Sequence, residues 1–204
     1  MRIAALYVET NGAYFGLPDV ELWDEARDAR RYAGPYPVVA HPPCARWSRL
    51  AKFCEARYGL KVGDDGGCFA AALAAVRNWG GVIEHPAFSK AWERYGLPRP
   101  DTKAECWTPG ICGGFSAYVE QGRYGHPVKK ATWLYVYGVP LRDLPKLRWG
   151  HTPDSRGMIS KHQDGSGGMN KWRARASYRA ASATPPEFRD VLIGIAVTAT
   201  PSKP

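Results

Sequence analysis

The sequence predicts a single compact α/β domain built on a Rossmann-like, mainly parallel sheet, and three observations lead there. Apolar runs at residues 3–8, 37–40 and 81–84 each end abruptly in polar or turn-forming residues, as short strands buried on both faces do. A helical repeat that begins after Asp64-Asp65 runs straight into the third of these runs, and strand, helix and strand in that order fold back as a parallel crossover. An amphipathic helix closes the chain. With 204 residues, 45% of them hydrophobic, the chain is long enough to bury one good core. No run approaches the ~18 consecutive apolar residues of a membrane span.

Each element carries its own signal. Residues 3–8 form the first strand, and a loop over residues 9–16 follows with Asn11 and Gly12 at its tip. Residues 20–23 form a second strand that ends at Asp24, and a basic helical segment covers residues 25–32. The strand at 37–40 stops at His41-Pro42-Pro43, because proline cannot donate to a ladder. Asp64 or Asp65 caps the next helix, Phe69, Leu73 and Val76 mark its buried face, and Gly80-Gly81 ends it after Trp79. The strand at 81–84 runs into His85-Pro86. Residues 115–121 and 132–138 are aromatic and β-branched, as paired strands are, and the turn between them holds His126-Pro127. Residues 150–168 read as a flexible loop within a basic, Gly/Ser-rich arm over residues 145–180. Thr184-Pro185-Pro186-Glu187 has the form of a capping box, after which Phe188, Val191, Leu192, Ile195 and Ala196 share one apolar face.

Charge points to a polyanionic partner, DNA or another nucleic acid, and no membrane. The net charge is +9, and residues 146–179 hold eight basic residues against two acidic ones. Clustered cations gain affinity for phosphates by releasing counterions, and Trp149, Trp172 and Tyr178 in the same stretch offer faces for base stacking. Arg173 and Arg175 lie at its centre. Five irregularly spaced cysteines are no disulfide framework and fit a reducing, cytoplasmic compartment.

Three of the five histidines precede proline, and each of these dipeptides has a reactive neighbour: His41 leads to Cys44, His85 follows Glu84, and His126 precedes Lys129-Lys130. Ligands of open α/β sheets bind beyond the carboxyl ends of the strands, where these segments belong. Two prolines hold the Cys44 backbone rigidly, and Arg46 and Arg49 nearby favour the thiolate that acts as nucleophile.

In this respect the chain resembles the cytosine-5 DNA methyltransferase family, above all its short phage-borne relatives. Pro42-Pro43-Cys44 with Trp47 and Ser48 matches the family's Pro-Pro-Cys segment, Glu84-His85-Pro86 its Glu-Asn-Val or Glu-Asn-Pro, and residues 125–138 its third element. The resemblance covers roughly residues 37–138 and the last helix. It implies a methyltransferase-type sheet in which Cys44 adds to carbon 6 of a flipped-out pyrimidine while Glu84, with His85 beside it, holds ring nitrogen 3. It further implies that Lys129 or Lys130 contacts the base or its phosphate, with Arg46, Ser48, Arg173 and Arg175 on the nucleic acid. The cofactor it implies is S-adenosyl-L-methionine, on Asn11, Gly12 and Asp24. The chain departs from the family in having one glycine where the Phe-x-Gly-x-Gly loop belongs, and in lacking a large target-recognition domain.

Two alternatives stand beside this. His41, His85 and His126, with Cys44 or Glu84, have the chemistry of zinc or iron ligands. A non-catalytic DNA-binding module that keeps the fold and the basic arm is the other.

Overall fold

The computed structural model describes residues 1–152 and 182–202. Its strands are β1 (Ile3–Leu6), β2 (Val20–Trp23), β3 (Val38–Ala40), β4 (Gly81–Pro86), β5 (Thr108–Pro109), β6 (Phe115–Glu120) and β7 (Ala131–Tyr137). They form one sheet in the order β2-β1-β3-β4-β7-β6-β5. The helices are α1 (Ala51–Tyr58), α2 (Cys68–Trp79), α3 (Lys90–Arg94) and α4 (Pro186–Thr198).

The expected crossover is present: β3 and β4 pair in parallel, with α1 and α2 between them in the chain. β1 is parallel to both β2 and β3, so the first four strands are consistent with a Rossmann-like arrangement. The other three pairings, β4 with β7, β7 with β6 and β6 with β5, are antiparallel. The sheet is therefore mixed and not mainly parallel. The cause lies in the connection from β6 to β7, a short turn over residues 121–130, since short links join antiparallel strands and a parallel return needs a longer crossover.

Alternate residues of the central strands face two separate cores, as the pleat requires. Ala4, Leu6, Val38, Ala40 and Ile83 pack with Phe69 and Val76 of α2 on one face, while Ile3, Ala5, Val39 and Val82 pack with Phe188, Leu192 and Ile195 of α4 on the other. Each fully buried side chain of this size contributes about 1.5–3 kcal/mol, so two helices are enough to hold the sheet from both sides.

Asp65 starts α2 as expected, accepting from the N–H groups of Gly67 (3.0 Å) and Phe69 (2.8 Å). Other boundaries differ from expectation. β1 stops at Leu6 because Tyr7 turns left-handed (φ 59°). The basic segment after Asp24 forms no α-helix but two 3-10 turns, Glu25–Arg27 and Ala29–Arg31, parted by a left-handed Asp28 (φ 49°). α4 has Pro185 at its N-cap and no side-chain cap, so the box from Thr184 does not form. Among the described residues no helix is long and apolar enough to cross a membrane.

Candidate active site

The site gathers beyond the carboxyl ends of β3 and β4. β3 ends as His41 donates its N–H to the Leu6 carbonyl (3.0 Å), after which the two prolines stop the ladder. The Cys44 carbonyl then accepts from the N–H groups of Trp47 (3.0 Å) and Ser48 (2.9 Å), closing a turn that leads into α1. Trp47, buried against Phe69 and Tyr95, anchors this turn by donating its indole N–H to Asp65 (2.8 Å). Cys44, Arg46 and Ser48 are all partly buried in the turn, and none of the five cysteines forms a disulfide.

Glu84 is buried on β4, and its carboxylate is held from two sides. Oε2 lies 3.0 Å from His41 Nδ1, and Oε1 accepts from Gln121 Nε2 at 2.9 Å. Gln121 donates also to Thr132 Oγ1 (2.9 Å), while its own Oε1, buried, has no donor among the described residues. His41 Nε2 in turn meets the Tyr14 hydroxyl at 2.8 Å. Burial opposes ionisation of Glu84, yet the His41 hydrogen bond and the Lys130 charge outweigh it and hold the carboxyl below the usual range. An ionised carboxylate only accepts, so Nδ1 of His41 carries the hydrogen. Burial raises the Tyr14 pKa, so its hydroxyl keeps its proton beside His41 Nε2. The Cys44 loop is therefore tied to Glu84 through His41.

Lys130, left-handed at φ 37°, donates Nζ to the carbonyls of Ser182 and Ala183 (2.8 Å each). Burial lowers its pKa, against the charges of Glu84 and Cys44, which favour the ammonium. Lys129 is engaged elsewhere, 2.8 Å from Oε1 of Glu120. Glu120 is fully buried at the end of β6 and also accepts from the Tyr118 hydroxyl (2.7 Å) and the Thr152 N–H (2.6 Å), with His151 Nδ1 at 2.8 Å. Burial works against its ionisation, but the bonds from Lys129 and His151 prevail and hold this carboxyl low as well.

His85 takes a different place from the one expected. It lies within β4 and not after it, on the face opposite Glu84, 99% buried between Phe69 and Trp92. Burial lowers its pKa to about 4, although the Glu84 charge and the nearby Pro43 carbonyl pull the other way. At neutral pH His85 is therefore an uncharged residue of the core. His126 is buried in the turn after β6, where its Nδ1 lies 3.1 Å from the Val128 N–H. The three histidines do not converge, and among the described residues no group of three or more His, Cys, Asp and Glu is placed to hold a metal.

Asn11, Gly12 and Asp24 lie beyond the ends of β1 and β2. Asn11 is exposed and left-handed (φ 59°), and the Gly12 N–H closes a tight turn on the Glu9 carbonyl (2.9 Å). A Cβ at position 12 would stand 2.8 Å from that same oxygen, so the turn needs glycine. Asp24 accepts from the Ala26 N–H (3.2 Å) and the Thr10 hydroxyl (2.8 Å), which leaves lone pairs for a ribose diol. Asp24 thus keeps the acceptors a ribose diol would need, while Tyr14, buried on His41, takes up room beyond β1 and β3.

Arg173 and Arg175 lie outside the described residues. Tyr14, Gln121, Thr132 and Glu120 escaped sequence reasoning, as did His151, which the basic arm hid. For the strand residues a signal existed: Glu120-Gln121 and Thr132 are polar interruptions at the ends of apolar strands. Tyr14, in a loop, had none. No family model matches this sequence, and no curated protein or solved structure matches it significantly.

Proposed function

We propose that the chain is a nucleic-acid-modifying enzyme that adds the Cys44 thiolate to carbon 6 of a pyrimidine, in the manner of cytosine-5 DNA methyltransferases, on a sheet of their type. The observation that carries this is the convergence of residues distant in sequence: the His41–Glu84 hydrogen bond ties the Cys44 loop to the carboxylate at the end of the neighbouring parallel strand. Lys130 lies where its charge acts on both groups. A flat ring between thiol and carboxylate is attacked at carbon 6 as its nitrogen 3 takes up a proton, and carbon 5 becomes nucleophilic. Because Glu84 is ionised at rest, the proton that nitrogen 3 takes up comes from solvent, and the carboxylate, held in place by His41, accepts the resulting N–H.

Asp24 and Asn11 would hold the cofactor, S-adenosyl-L-methionine, which would supply an electrophilic methyl group. The nucleic acid is bound through the excess of positive charge, +9 over the chain. The test uses a DNA oligonucleotide containing 5-fluorocytosine with the methyl donor present. The wild-type protein is expected to form a denaturation-resistant adduct and Cys44→Ala none. Oligonucleotide binding without an adduct from either protein leaves a nucleic-acid-binding module and ends the enzymatic proposal.

A further inference from the structure

A cleft of about 760 Å³ opens on the α2 face of the sheet, on the opposite side from the Glu84 carboxylate. Its volume lies within the ~300–1,000 Å³ of sites for small ligands. Phe88, Trp92 and Trp133 form its aromatic wall, and the two indoles are almost fully buried. Arg49, Lys90 and Arg99 bring three cations against one carboxylate, Glu93.

Three features mark this cleft as more than a gap in packing. The Arg49 guanidinium lies over the Phe88 ring, 5.1 Å from its centroid, a cation–π contact. Phe88 itself adopts φ 65°, a conformation bulky residues rarely take and one that concentrates at ligand sites. Trp92 donates its indole N–H to Ser116 (3.1 Å), but the buried Trp133 Nε1 has no acceptor among the described residues. A buried donor in that state is exceptional among native structures.

The chemistry of the lining selects the ligand. A purely apolar guest has no use for three cations, and a bare anion has none for three aromatic faces. A flat ring joined to an anionic group uses both. The cleft is also joined to the catalytic loop, since the Lys90 N–H donates to the Trp47 carbonyl (2.8 Å) and Arg49 lies in the residues between Cys44 and α1. We propose that the cleft is a nucleotide site, with a base against Phe88 and Trp133 and its phosphate on Arg49, Lys90 and Arg99. It holds a nucleotide adjoining the pyrimidine that Cys44 attacks. The placement on a strand rests on the nucleic-acid substrate proposed above; the nucleotide chemistry does not.

Tryptophan fluorescence of the full-length Cys44→Ala protein reports the cleft without adduct formation. Titration with dCMP and with a short single-stranded oligonucleotide is expected to perturb the emission, and inorganic phosphate at the same concentrations is not. Arg49→Ala with Arg99→Ala, both at exposed positions, should weaken dCMP binding at least tenfold. The site is overturned if phosphate binds as well as dCMP, if the double variant binds like its parent, or if no nucleotide binds. An oligonucleotide that binds no more tightly than dCMP overturns the placement on a strand. An adduct formed by the wild-type protein with no nucleotide response in this assay sinks the cleft and leaves the enzyme; a cleft that binds nucleotide where no adduct forms does the reverse.

Discussion

His85 is 1% exposed, its ring packed on Trp92 and edge-on to Phe69, so protonating it means charging the core. An unfolded histidine takes up a proton near pH 6.5, whereas burial lowers this one to about 4. Between those values the unfolded chain binds the extra proton, so the stability from His85 is complete above pH 6.5 and drains away as the pH falls through 4. At about 1.4 kcal/mol per pH unit, roughly 2 kcal/mol is lost between pH 6.5 and 5. Glu84 and Glu120, both held low, keep their contributions across that window and surrender them only below the ordinary carboxylate range. Urea unfolding at pH 7 and 5 should show this loss, and His85→Leu should flatten it; a variant with the wild-type slope assigns the acid lability to another group. The same residue shows where residue-level inference from sequence stops. The motif puts Glu84 and His85 side by side, but the pleat sends neighbours to opposite faces, one to the site and one to the core. Cys44 and Glu84 were legible because short motifs carry them. Tyr14 and Gln121 matter only through partners 27 and 37 residues away, and one chain read linearly does not display such contacts.

At the level of elements, legibility followed burial. α2 and α4 announce themselves because each lays an apolar stripe on the sheet: Phe69, Leu73 and Val76 in one, Phe188, Leu192 and Ile195 in the other. α1, which follows the Cys44 turn, buries only Ala51 and has no stripe to read. Strand direction was legible where a helix intervened, and not in β6 and β7, whose pairing a short turn decides. The joint between α2 and β4 lies where β4 pairs with β3, and it depends on Gly81. Gly81 has φ 127°, and a Cβ there would lie 2.0 Å from the Val38 carbonyl oxygen on the neighbouring strand. Gly81→Ala therefore has to part β3 from β4 and should destabilise the fold by more than about 2 kcal/mol. Gly194→Ala, within α4 and with open space around it, should instead stabilise it by roughly 0.5–1 kcal/mol. Chemical denaturation of both variants checks this, and a Gly81→Ala protein as stable as the parent refutes the close approach.

Over the whole molecule, most of the charge at the candidate site is already matched. Lys129 pairs with Glu120, Lys130 caps the carbonyls of Ser182 and Ala183, and Arg148 pairs with Glu187. Phosphates of a nucleic acid therefore have to be met by other cations. Beside Arg46 there are two groups: Arg49, Lys90 and Arg99 at the cleft, and the basic residues of 146–179 other than Arg148, among them Arg173 and Arg175. The described residues on either side of 153–181 lie at the site, the Thr152 N–H on Glu120 and the Ser182 carbonyl on Lys130. Each phosphate neutralised by a cation adds close to one to the slope of log affinity against log salt. Duplex binding measured across a salt series should then weaken on Arg173→Ala with Arg175→Ala, and the slope should become shallower by about 2. Cys44→Ala should leave that slope untouched, because a thiol neutralises no phosphate. An unchanged slope in the double arginine variant removes this stretch from the interface and leaves the cleft arginines to carry the electrostatic part of binding.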